Sequence, residues 1–574
     1  MLSRLIEISE RTPKDFNLAL VFSILSALYL LRRYLLPKPI PGIPYNKNAV
    51  KSFMGDIPEF REAPNRREWW AQQPVRHQSP IVQVFMRPFG APWVFVADYF
   101  ESSDICMRRL KEFDRSVVTW EQFQGVVPDH HITLKSADPK FKKNKELIRD
   151  LMTPSFLQQA SAPEIHDKFM TLLKLWHRKL ELSGGRPFDI AQDIHNSALD
   201  IILDASFGIK SEGQIGRQLE ELEVKTASGG KDDLFEFEDV PLDDEQSCFT
   251  TLSDSVGLSM RSPLPTIHHF LYRNLSSKMR RARAGRDRLR DREIAKSIER
   301  RESGQPQRCA LDNMLAREDA IAEKEGRKPN YRSQMIMSEL MGYLVAGHET
   351  TSAVLRWGMK YLTAEQRVQT ILREAILNAH PEALKENRVP TTEEILKAHI
   401  PYLDAVIEEM LRHSRVAPIT IRQATTDTEI LGHFIPKGTT VGFLGNGPGL
   451  MMPSIPVDPA KRSEAALAHM ERTQLFDDED LTQFVPERWL TTQVNDKGEK
   501  ETVFDPQKRP SQAFGLGPRG CFGKKLAYIE IKTFLTLFFW TFKLEPIKPE
   551  LATEDEMLGL TRSPKNVYVK LAKV

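Results

Sequence analysis

Apolar residues cluster most densely near the N-terminus of the chain. No charged residue occurs from Phe16 to Leu31, and Arg32 and Arg33 follow directly. This uncharged run is slightly shorter than a membrane span of roughly 20 residues, but flanking residues can extend it. The pattern predicts a single membrane anchor over residues 1–36, with its positive flank and the rest of the chain on the cytosolic side.

A proline-rich linker, residues 37–46, follows the anchor. Prolines cannot continue a helix, so we interpret this segment as a semi-rigid spacer before a catalytic domain over residues 47–574. A cleaved signal peptide is the alternative interpretation of the apolar run. It would require small residues at a cleavage site, where this chain has arginines and prolines.

Beyond the linker, the pattern of apolar positions changes from strands to helices. Alternating apolar residues at 81–85 and 93–96 predict a pair of strands around a Pro/Gly turn. From residue 140 onward helical spacing dominates. The further predicted elements are a helix ending near Gly208, charged or apolar helices at 277–304, 335–362 and 402–413, a hairpin at 428–441, and irregular loops at 232–245 and 444–476.

Composition narrows the class of protein. The chain has 574 residues, of which 41% are hydrophobic and 28% charged, so a large core is expected. The 80 basic and 78 acidic residues leave a net charge of +2, which argues against a general nucleic-acid binder. The cysteines Cys106, Cys248, Cys309 and Cys521 are far apart and form no C-x-x-C pair. A zinc cluster or disulfide framework is therefore not expected, and a reducing compartment fits best.

The last of these cysteines lies in a glycine-rich segment, residues 514–523, which we call the cysteine loop. It reads Phe-Gly-Leu-Gly-Pro-Arg-Gly-Cys-Phe-Gly, and an amphipathic helical pattern follows it. So many glycines indicate a backbone that bends sharply or approaches a ligand closely. Because Cys521 precedes a helix N-terminus, the helix dipole would favour its thiolate.

Three interpretations of the cysteine loop stay open from this segment alone. Gly515, Gly517 and Gly520 spell the dinucleotide-binding pattern G-x-G-x-x-G, although no buried strand precedes them. A thiolate ligand to haem iron would account for Arg519 and Cys521 together with the glycines. A buried cysteine at the start of a helix is the third interpretation.

The helical pattern at 335–362 has an uncommon polar centre, Ala-Gly-His-Glu-Thr-Thr-Ser at 346–352. A zinc-protease motif would need a second histidine at position 352, where Ser352 stands. The small residues at 346 and 347 would let a flat ligand press against the helix, and Thr350 can bond to a carbonyl one turn back. We interpret Glu349 and Thr350 as a proton relay, with a polar patch facing a neighbouring helix as the alternative.

A pair of opposite charges lies in the apolar helical pattern at 402–413. Glu409 and Arg412 are three residues apart and therefore share one face of the helix. On the surface such a pair would contribute little to stability. Buried in an apolar helix, it would set the local geometry.

Together these segments resemble the cytochrome P450 superfamily of haem-thiolate monooxygenases. The cysteine loop matches F-x-x-G-x-R-x-C-x-G at every position, and residues 346–351 are similar to the oxygen-activation motif, small-Gly-x-acid-Thr. Glu409 and Arg412 match E-x-x-R, and residues 486–489 match the P-E-R segment. The resemblance, which covers the chain from residue 37 onward, implies a mainly α fold with small β-sheets (α+β), here preceded by a single transmembrane helix.

The resemblance also implies roles for particular residues. Cys521 would be the axial thiolate ligand of a haem b iron. Glu349 and Thr350 would deliver protons to bound oxygen. The other implied assignments are cofactor contacts by Arg149, Arg422, Phe514, Arg519 and Gly523, and a structural cluster of Glu409, Arg412 and Arg488 that locks the cysteine loop.

One position departs from the family's pattern. In the helix that leads to Arg149, Lys145 stands where the family often has tryptophan. Lysine can still reach a haem carboxylate, so we expect altered contacts and retained haem. By analogy, the mostly apolar residues expected above the haem are Trp120, Phe123, Val126, Tyr343, Ala346, residues 419–421, Leu560 and Thr561.

The resemblance predicts a monooxygenase that inserts one atom of O₂ into a lipophilic organic substrate. An NADPH-dependent reductase would supply the electrons, with cytochrome b5 as a second electron-donor partner. A basic rim would steer the reductase, although a solvated face is the rival interpretation of Lys140, Lys142, Lys143, Lys145, Lys524 and Lys525. The expected location is the endoplasmic reticulum membrane, with a single span in contact with lipid, a cytosolic catalytic domain and no nucleic-acid partner.

Two other functions stay open. A haem-thiolate isomerase or lyase would rearrange a peroxide without a reductase, and the presence of both Glu349 and Thr350 argues against it. A non-catalytic membrane haem carrier or sensor would bind haem without turnover.

Overall fold

Helices make up most of the chain in a computed structural model that describes residues 14–209, 212–224, 234–495 and 497–574. Small β-sheets lie beside them, so the predicted mainly α fold is confirmed. The α-helices of the described residues span Lys14–Leu35, Ile57–Glu62, Arg66–His77, Tyr99–Met107, Val117–Phe123, Pro139–Ile148, Pro154–Phe156, Ala162–Ser183, Ala191–Phe207, Gly213–Glu223, Asp244–Met260, Pro265–Leu275, Ser277–Glu302, Ala310–Lys324, Gln334–Ala364, Gln366–Ala379, Pro381–Lys385, Thr392–Lys397, Pro401–Ser414, Glu464–Met470 and Lys524–Thr541.

The largest sheet of the described residues has five strands: β1 (Ile81–Val84), β2 (Trp93–Val96), β3 (Phe113–Asp114), β5 (Ile419–Ala424) and β8 (Thr440–Leu444). Their order in the sheet is β1-β2-β8-β5-β3. Within it β2 and β8 are parallel, whereas the other neighbouring strands are antiparallel. The predicted strand pair is therefore present as β1 and β2.

The remaining strands form small antiparallel sheets. The pair β6 (Thr428–Ile430) and β7 (His433–Ile435) is the predicted hairpin. The others are the three-stranded sheet of β4 (Phe188–Asp189), β11 (Phe542–Glu545) and β14 (Tyr568–Lys573), the pair β9 (Leu490–Val494) and β10 (Lys500–Phe504), and the pair β12 (Glu556–Leu558) and β13 (Arg562–Pro564).

The helix Gln334–Ala364, which we call the central helix, runs through the core. The side chain of Ser333 caps it by accepting a hydrogen bond from the amide of Ile336. It packs against Ala191–Phe207 on one side and against Pro401–Ser414 and Lys524–Thr541 on others. We call Lys524–Thr541 the C-terminal helix. Trp357 and much of the rest of the central helix are buried, whereas Ala346 and Thr350 near its middle are exposed.

The predicted irregular loop at 444–476 contains a short helix that the sequence pattern did not reveal. Glu464–Met470 begins where the Ser463 hydroxyl accepts a hydrogen bond from the amide of Ala466, and it packs against Tyr99–Met107. The other predicted loop is irregular at 234–243, and residues 232 and 233 lie outside the described part of the chain.

The structure describes the predicted membrane anchor, residues 1–36, only from residue 14 onward, where it contains the helix Lys14–Leu35. Residues 1–13 lie outside the described part of the chain. Within the part of the chain that the structure describes, no helix has both the length and the apolarity needed to cross a bilayer, so the predicted span gains no support. Large apolar side chains between Leu20 and Tyr34 are nevertheless half exposed or more, with Phe22 at 74% and Tyr34 at 73%.

Candidate functional site

The cysteine loop closes on itself through its backbone. The amide of Cys521 donates to the carbonyl of Phe514 at 2.7 Å, and the amide of Gly520 donates to the carbonyl of Gly517 at 2.8 Å. Gly515 and Gly517 have φ values of +64° and +69°, which favour glycine. The Phe514 ring packs 5.3 Å from that of Tyr528, tying the loop to the C-terminal helix. These bonds hold the cysteine at the tip of a tight turn.

The Cys521 side chain is accessible although its surroundings are protein interior. Burial raises the pKa of the thiol, while the Gly523 amide, Lys524 and Lys145 act in the opposite direction. A thiol with an amide and two cations directed at it is suited to bind a metal as thiolate, because a metal ion displaces the proton.

Three arginines gather beside the cysteine loop, and we call Arg115, Arg422 and Arg519 the arginine cluster. In each, the Nε atom is buried and has no hydrogen-bond partner among the described residues. Burial lowers the pKa of Arg115 well below its usual range, and the charges of Arg422 and Arg519 lower it further. Burial also lowers the pKa of Arg519 to about 10, against the effect of Asp114.

A single nearby carboxylate does not balance this charge. Asp114 lies 3.5 Å from Arg519 Nη2, and it already accepts hydrogen bonds from the amide and hydroxyl of Ser136. Buried guanidinium groups with unused donors require an anionic partner, and their planar geometry suits carboxylates. The carboxylates of a haem group fit this cluster, and the Cys521 sulfur fits its iron.

Lys145 lies in the same region. Its Nζ lies 4.7 Å from the centre of the Phe522 ring, and burial lowers its pKa. Nearby, His131 Nδ1 lies 2.7 Å from the Glu339 carboxylate, which also accepts a 2.7 Å bond from Asn144. Lys145 is thus available to an anionic group, with Glu339 as the closest acid acting on it.

Arg149, by contrast, is not part of the site. Its side chain is 55% exposed and pairs with Glu146 at 2.9 Å and Asp150 at 3.5 Å. The reason is local: the helix Pro139–Ile148 ends one residue earlier, and Arg149 begins a 3₁₀ turn. The four-residue spacing from Lys145 therefore no longer places both side chains on one face.

The central helix presents a narrow accessible strip. Ala346 and Thr350, one turn apart, are exposed between buried neighbours. The Thr350 hydroxyl donates to the Ala346 carbonyl at 2.8 Å, as predicted. Gly347 does not face this strip, because a β-carbon there would meet the side chain of Ile202. Helix packing therefore accounts for this glycine, and only Ala346 offers the flat surface expected for a ligand.

Glu349 points away from Thr350, toward the helices Ala191–Phe207 and Asp244–Met260. Its carboxylate lies 3.4 Å from His348 Nε2 and 3.5 Å from the Ser253 hydroxyl. Burial raises its pKa, but His348, His195 and Arg356 outweigh burial and hold the value at about 2. Glu349 is therefore ionised. It lies on a different face of the central helix from the accessible strip of Ala346 and Thr350.

The predicted cluster of Glu409, Arg412 and Arg488 is formed and is buried. Arg412 makes a bidentate contact with Glu409, at 2.8 and 3.0 Å, and Arg488 Nε lies 3.1 Å from the same carboxylate. The indole of Trp489 donates a further bond at 2.9 Å. Burial raises the pKa of Glu409, but the bonds from His413 and Arg412 more than reverse this and keep it ionised.

Sequence reasoning missed Arg115. This residue lies between strand β3 and the helix Val117–Phe123, where a basic residue is expected to be solvated, so no local pattern distinguishes it. Of the predicted contacts, Arg422 and Arg519 lie in the arginine cluster, and Phe514 and Gly523 lie in the cysteine loop. Arg149 is the predicted residue that the structure places elsewhere.

A mainly helical fold that presents one accessible cysteine beside buried, unpaired arginines is the arrangement of a haem-thiolate protein. The family model "Cytochrome P450" matches residues 51–447 and 469–571. The chain belongs to the cytochrome P450 family and is a monooxygenase of that family. The family implies haem with thiolate ligation.

Curated relatives and a solved structure agree with this assignment. The chain is 37% identical to cytochrome P450 monooxygenase TRI13 of Fusarium sporotrichioides, over 96% of this chain and 98% of that one. It is 35% identical to GME11363 of Pestalotiopsis microspora, over 96% of each chain, and 34% identical to xilC of Penicillium rubens, over 99% of each. The cytochrome P450DA heme domain matches in fold with a TM-score of 0.66 and 18% identity, over 94% of this chain and 98% of that one.

Proposed function

We propose that this protein inserts one atom of O₂ into a lipophilic organic substrate at a haem b group held by Cys521. When bound, the haem iron supplies the activation of O₂. The observation that carries the assignment is the arginine cluster, whose buried Nε donors lack partners beside the accessible sulfur of Cys521. Buried charge without a partner is costly, so these arginines are best explained by a bound dianion.

Side chains of the protein bind the haem carboxylates and transfer protons. Arg115, Arg422 and Arg519 hold the carboxylates, and Lys145 adds a fourth cation. The Thr350 hydroxyl holds a proton at the accessible strip of the central helix. Glu349, ionised one face away, receives protons on its carboxylate and passes them toward Thr350 through a side-chain rotation.

Electrons come in this proposal from an NADPH-dependent reductase that docks near the cysteine loop. Three lysines of the predicted basic rim do not present a free surface charge. Lys145 packs against the Phe522 ring. Lys140 lies 3.3 Å from Asp129, and Lys143 lies 2.8 Å from Glu325. Lys524 and Lys525 are exposed directly after the loop, and they support docking of an acidic surface there.

Attachment to the endoplasmic reticulum membrane is also part of the proposal. Two exposed apolar surfaces support it: the helix Lys14–Leu35, and one face of Pro265–Leu275 with its preceding residue. The exposed residues of this second surface are Leu264 (51%), Ile267 (53%), Phe270 (66%), Leu271 (47%) and Leu275 (72%). Arg32 and Arg33 favour a cytosolic catalytic domain. Alkaline carbonate extraction of microsomes tests this: release of the full-length chain would contradict a membrane span.

Absorbance of the reduced, CO-bound protein tests the haem assignment. We expect the red-shifted Soret band of thiolate ligation in the wild type and its loss in Cys521→Ser. Cys309→Ser is the matched control, because that cysteine is buried away from the site and should leave the spectrum unchanged. A normal band in Cys521→Ser would place the ligand elsewhere.

Reductase dependence distinguishes a monooxygenase from an isomerase. Product formation from a lipophilic substrate should require NADPH and reductase, with one atom of ¹⁸O from ¹⁸O₂ in the product. Turnover of a peroxide without NADPH would favour the isomerase, and haem binding without any turnover would favour the carrier.

A further inference from the structure

We propose that His195, His348 and Glu349 form a binding site for a divalent transition-metal ion, with zinc as the best fit. The three side chains come from the helix Ala191–Phe207 and the central helix, on the side of the central helix that faces away from Thr350. One ligand atom from each lies within 4.8 Å of the other two. The site does not include Cys521 or the arginine cluster, but it shares Glu349 with the proposed proton relay. A bound ion would hold this carboxylate away from Thr350, so the ion-bound state and the relay exclude each other.

The tautomer of His348 provides the first argument. Its Nδ1 lies 2.9 Å from the carbonyl of Leu344, and a carbonyl can only accept, so Nδ1 carries a proton. In the neutral ring, Nε2 is then a lone pair directed into the cluster. Metal-binding histidines have this arrangement, in which the other ring nitrogen donates to a carbonyl and fixes the orientation.

The geometry at Glu349 provides the second argument. His348 Nε2 lies 3.4 Å from Glu349 Oε1, and two lone pairs facing each other at this distance repel. A positive charge must lie between them, either a proton on the imidazole or a metal ion. Ligand atoms of a tetrahedral zinc ion are about 3.3–3.4 Å apart for bonds of about 2.0–2.1 Å, and the observed separation agrees with this value.

His195 provides the third protein ligand, and a hydroxyl or a water can provide the fourth. His195 Nδ1 and His348 Nε2 are both buried without a hydrogen-bond partner among the described residues. The ring centroids lie 5.4 Å apart at an angle of 66°, and the ligand atoms of the two histidines lie within 4.8 Å of each other. The Ser253 hydroxyl, 3.5 Å from Glu349 Oε1, or a water can take the fourth position that two histidines and a carboxylate leave open.

Nearby charges act in both directions. Arg356 opposes a cation at this point, but its Nη1 is engaged with the Ser563 hydroxyl at 2.7 Å. The carboxylate of Asp254 acts on both His348 and Glu349 and favours a cation. Lys278 and Arg261 act in turn on Asp254, so the Asp254 carboxylate is partly compensated and Glu349 supplies the negative charge inside the cluster.

A second cluster, His130, His131 and Glu339, has the same residue types but lacks these properties. Its Glu339 carboxylate is already occupied by the His131 ring, the His131 amide and Asn144, each at 2.7 Å. Lys145 and Arg115 also place positive charge on it. We therefore assign no metal to this second cluster.

Zinc binding to the haem-loaded, full-length protein tests the site. Equilibrium dialysis against Zn²⁺ at pH 7.5 should show one ion lost, or bound at least tenfold more weakly, in His195→Gln and in His348→Gln. Zinc X-ray absorption of the wild type should show two histidine nitrogens and oxygen ligands at about 2.0–2.1 Å.

His380→Gln is the matched control. His380 is also buried, and its Nδ1 donates to the carbonyl four residues back at 2.8 Å. Its Nε2 has no hydrogen-bond partner among the described residues, but His380 belongs to none of the candidate metal-binding groups found among those residues. This variant should bind zinc like the wild type. No bound zinc in the wild type, which would leave a proton between His348 and Glu349, or unchanged binding in the two cluster variants, would overturn the proposal. Neither result would affect the haem assignment, since the readout is metal content and not turnover.

Discussion

The carbonyl oxygen of Cys106 stands where a β-carbon on Gly517 would have to be placed. Cys106 lies near the C-terminus of the helix Tyr99–Met107. Gly517 lies in the cysteine loop and has a φ value of +69°. The two backbones therefore touch without an intervening side chain. This contact positions the loop that carries Cys521 against the rest of the protein.

We expect Gly517→Ala to weaken haem binding more strongly than Gly515→Ala. Both glycines have positive φ, which costs an alanine about 1–2 kcal/mol, but the nearest atom to a β-carbon at Gly515 is 3.8 Å away. At Gly517 the added carbon also meets backbone atoms that cannot rotate away. The fraction of protein with the red-shifted CO band measures the effect, and equal losses in the two variants would contradict the contact.

Arg115→Gln should increase the rate of haem loss. A charged hydrogen bond to a carboxylate contributes about 1.5–3 kcal/mol, which corresponds to roughly a 10- to 100-fold change in rate. Transfer of haem to excess apomyoglobin, followed by absorbance, measures it. Arg149→Gln is the control: it removes the same charge from an exposed side chain and should leave the rate unchanged.

The arginines of the site, together with Arg149, show where prediction from the sequence succeeds and where it fails. Arg519 is predicted because it lies in the motif of the cysteine loop, and Arg422 is predicted only from the resemblance to the family. Arg149 was predicted from a spacing that holds only if the helix continues, and the helix ends at Ile148. Arg115 carries no local signal, since its burial depends on the cysteine loop and β5, which lie hundreds of residues away in the chain.

The fold follows the same rule. The central helix, the helix Pro401–Ser414 and strands β1 and β2 were predicted, because their periodic apolar residues report burial directly. The helix Glu464–Met470 was missed, since its apolar face is short and is set by packing on Tyr99–Met107. The role of Gly347 was also misassigned, because the sequence cannot tell which neighbour, a ligand or Ile202, occupies the space beside a glycine.

Glu409→Gln should destabilise the protein by about 3–5 kcal/mol, because it leaves the buried guanidinium of Arg412 without a carboxylate. Arg488 would keep only Asp480, which lies 2.9 Å from its Nη1. Arg412 and Arg488 are 5% and 3% exposed, so water cannot replace the lost charge. Urea unfolding followed by tryptophan fluorescence measures the change.

Glu487→Gln is the matched control for this loss. Glu487 also pairs with an arginine, Arg367, but the two side chains are 37% and 57% exposed. The expected cost is below about 1 kcal/mol. If both substitutions cost the same, burial is not what makes the Glu409 cluster important.

The buried side chain of Glu530 should make the free energy of unfolding depend on pH, and replacing Glu530 should remove that dependence. It is buried between the C-terminal helix and the central helix, and Oε1 has no hydrogen-bond partner among the described residues. Burial raises its pKa to about 8, with the bond from Thr351 acting in the opposite direction. The folded protein therefore holds this proton at pH values where the unfolded chain, with an ordinary pKa near 4.5, has released it.

The sign follows from this difference in bound protons. Between pH 4.5 and 8 the folded state binds more protons at this position than the unfolded state, so stability falls as pH rises, by about 1.4 kcal/mol per pH unit. Glu530→Gln removes the titration, so its stability relative to the wild type should increase over this interval and level off above it. Urea unfolding at pH 5, 6.5 and 8 measures the difference, with Glu550→Gln on the exposed surface as control. A difference that stays constant with pH would show that Glu530 is ionised in the folded protein.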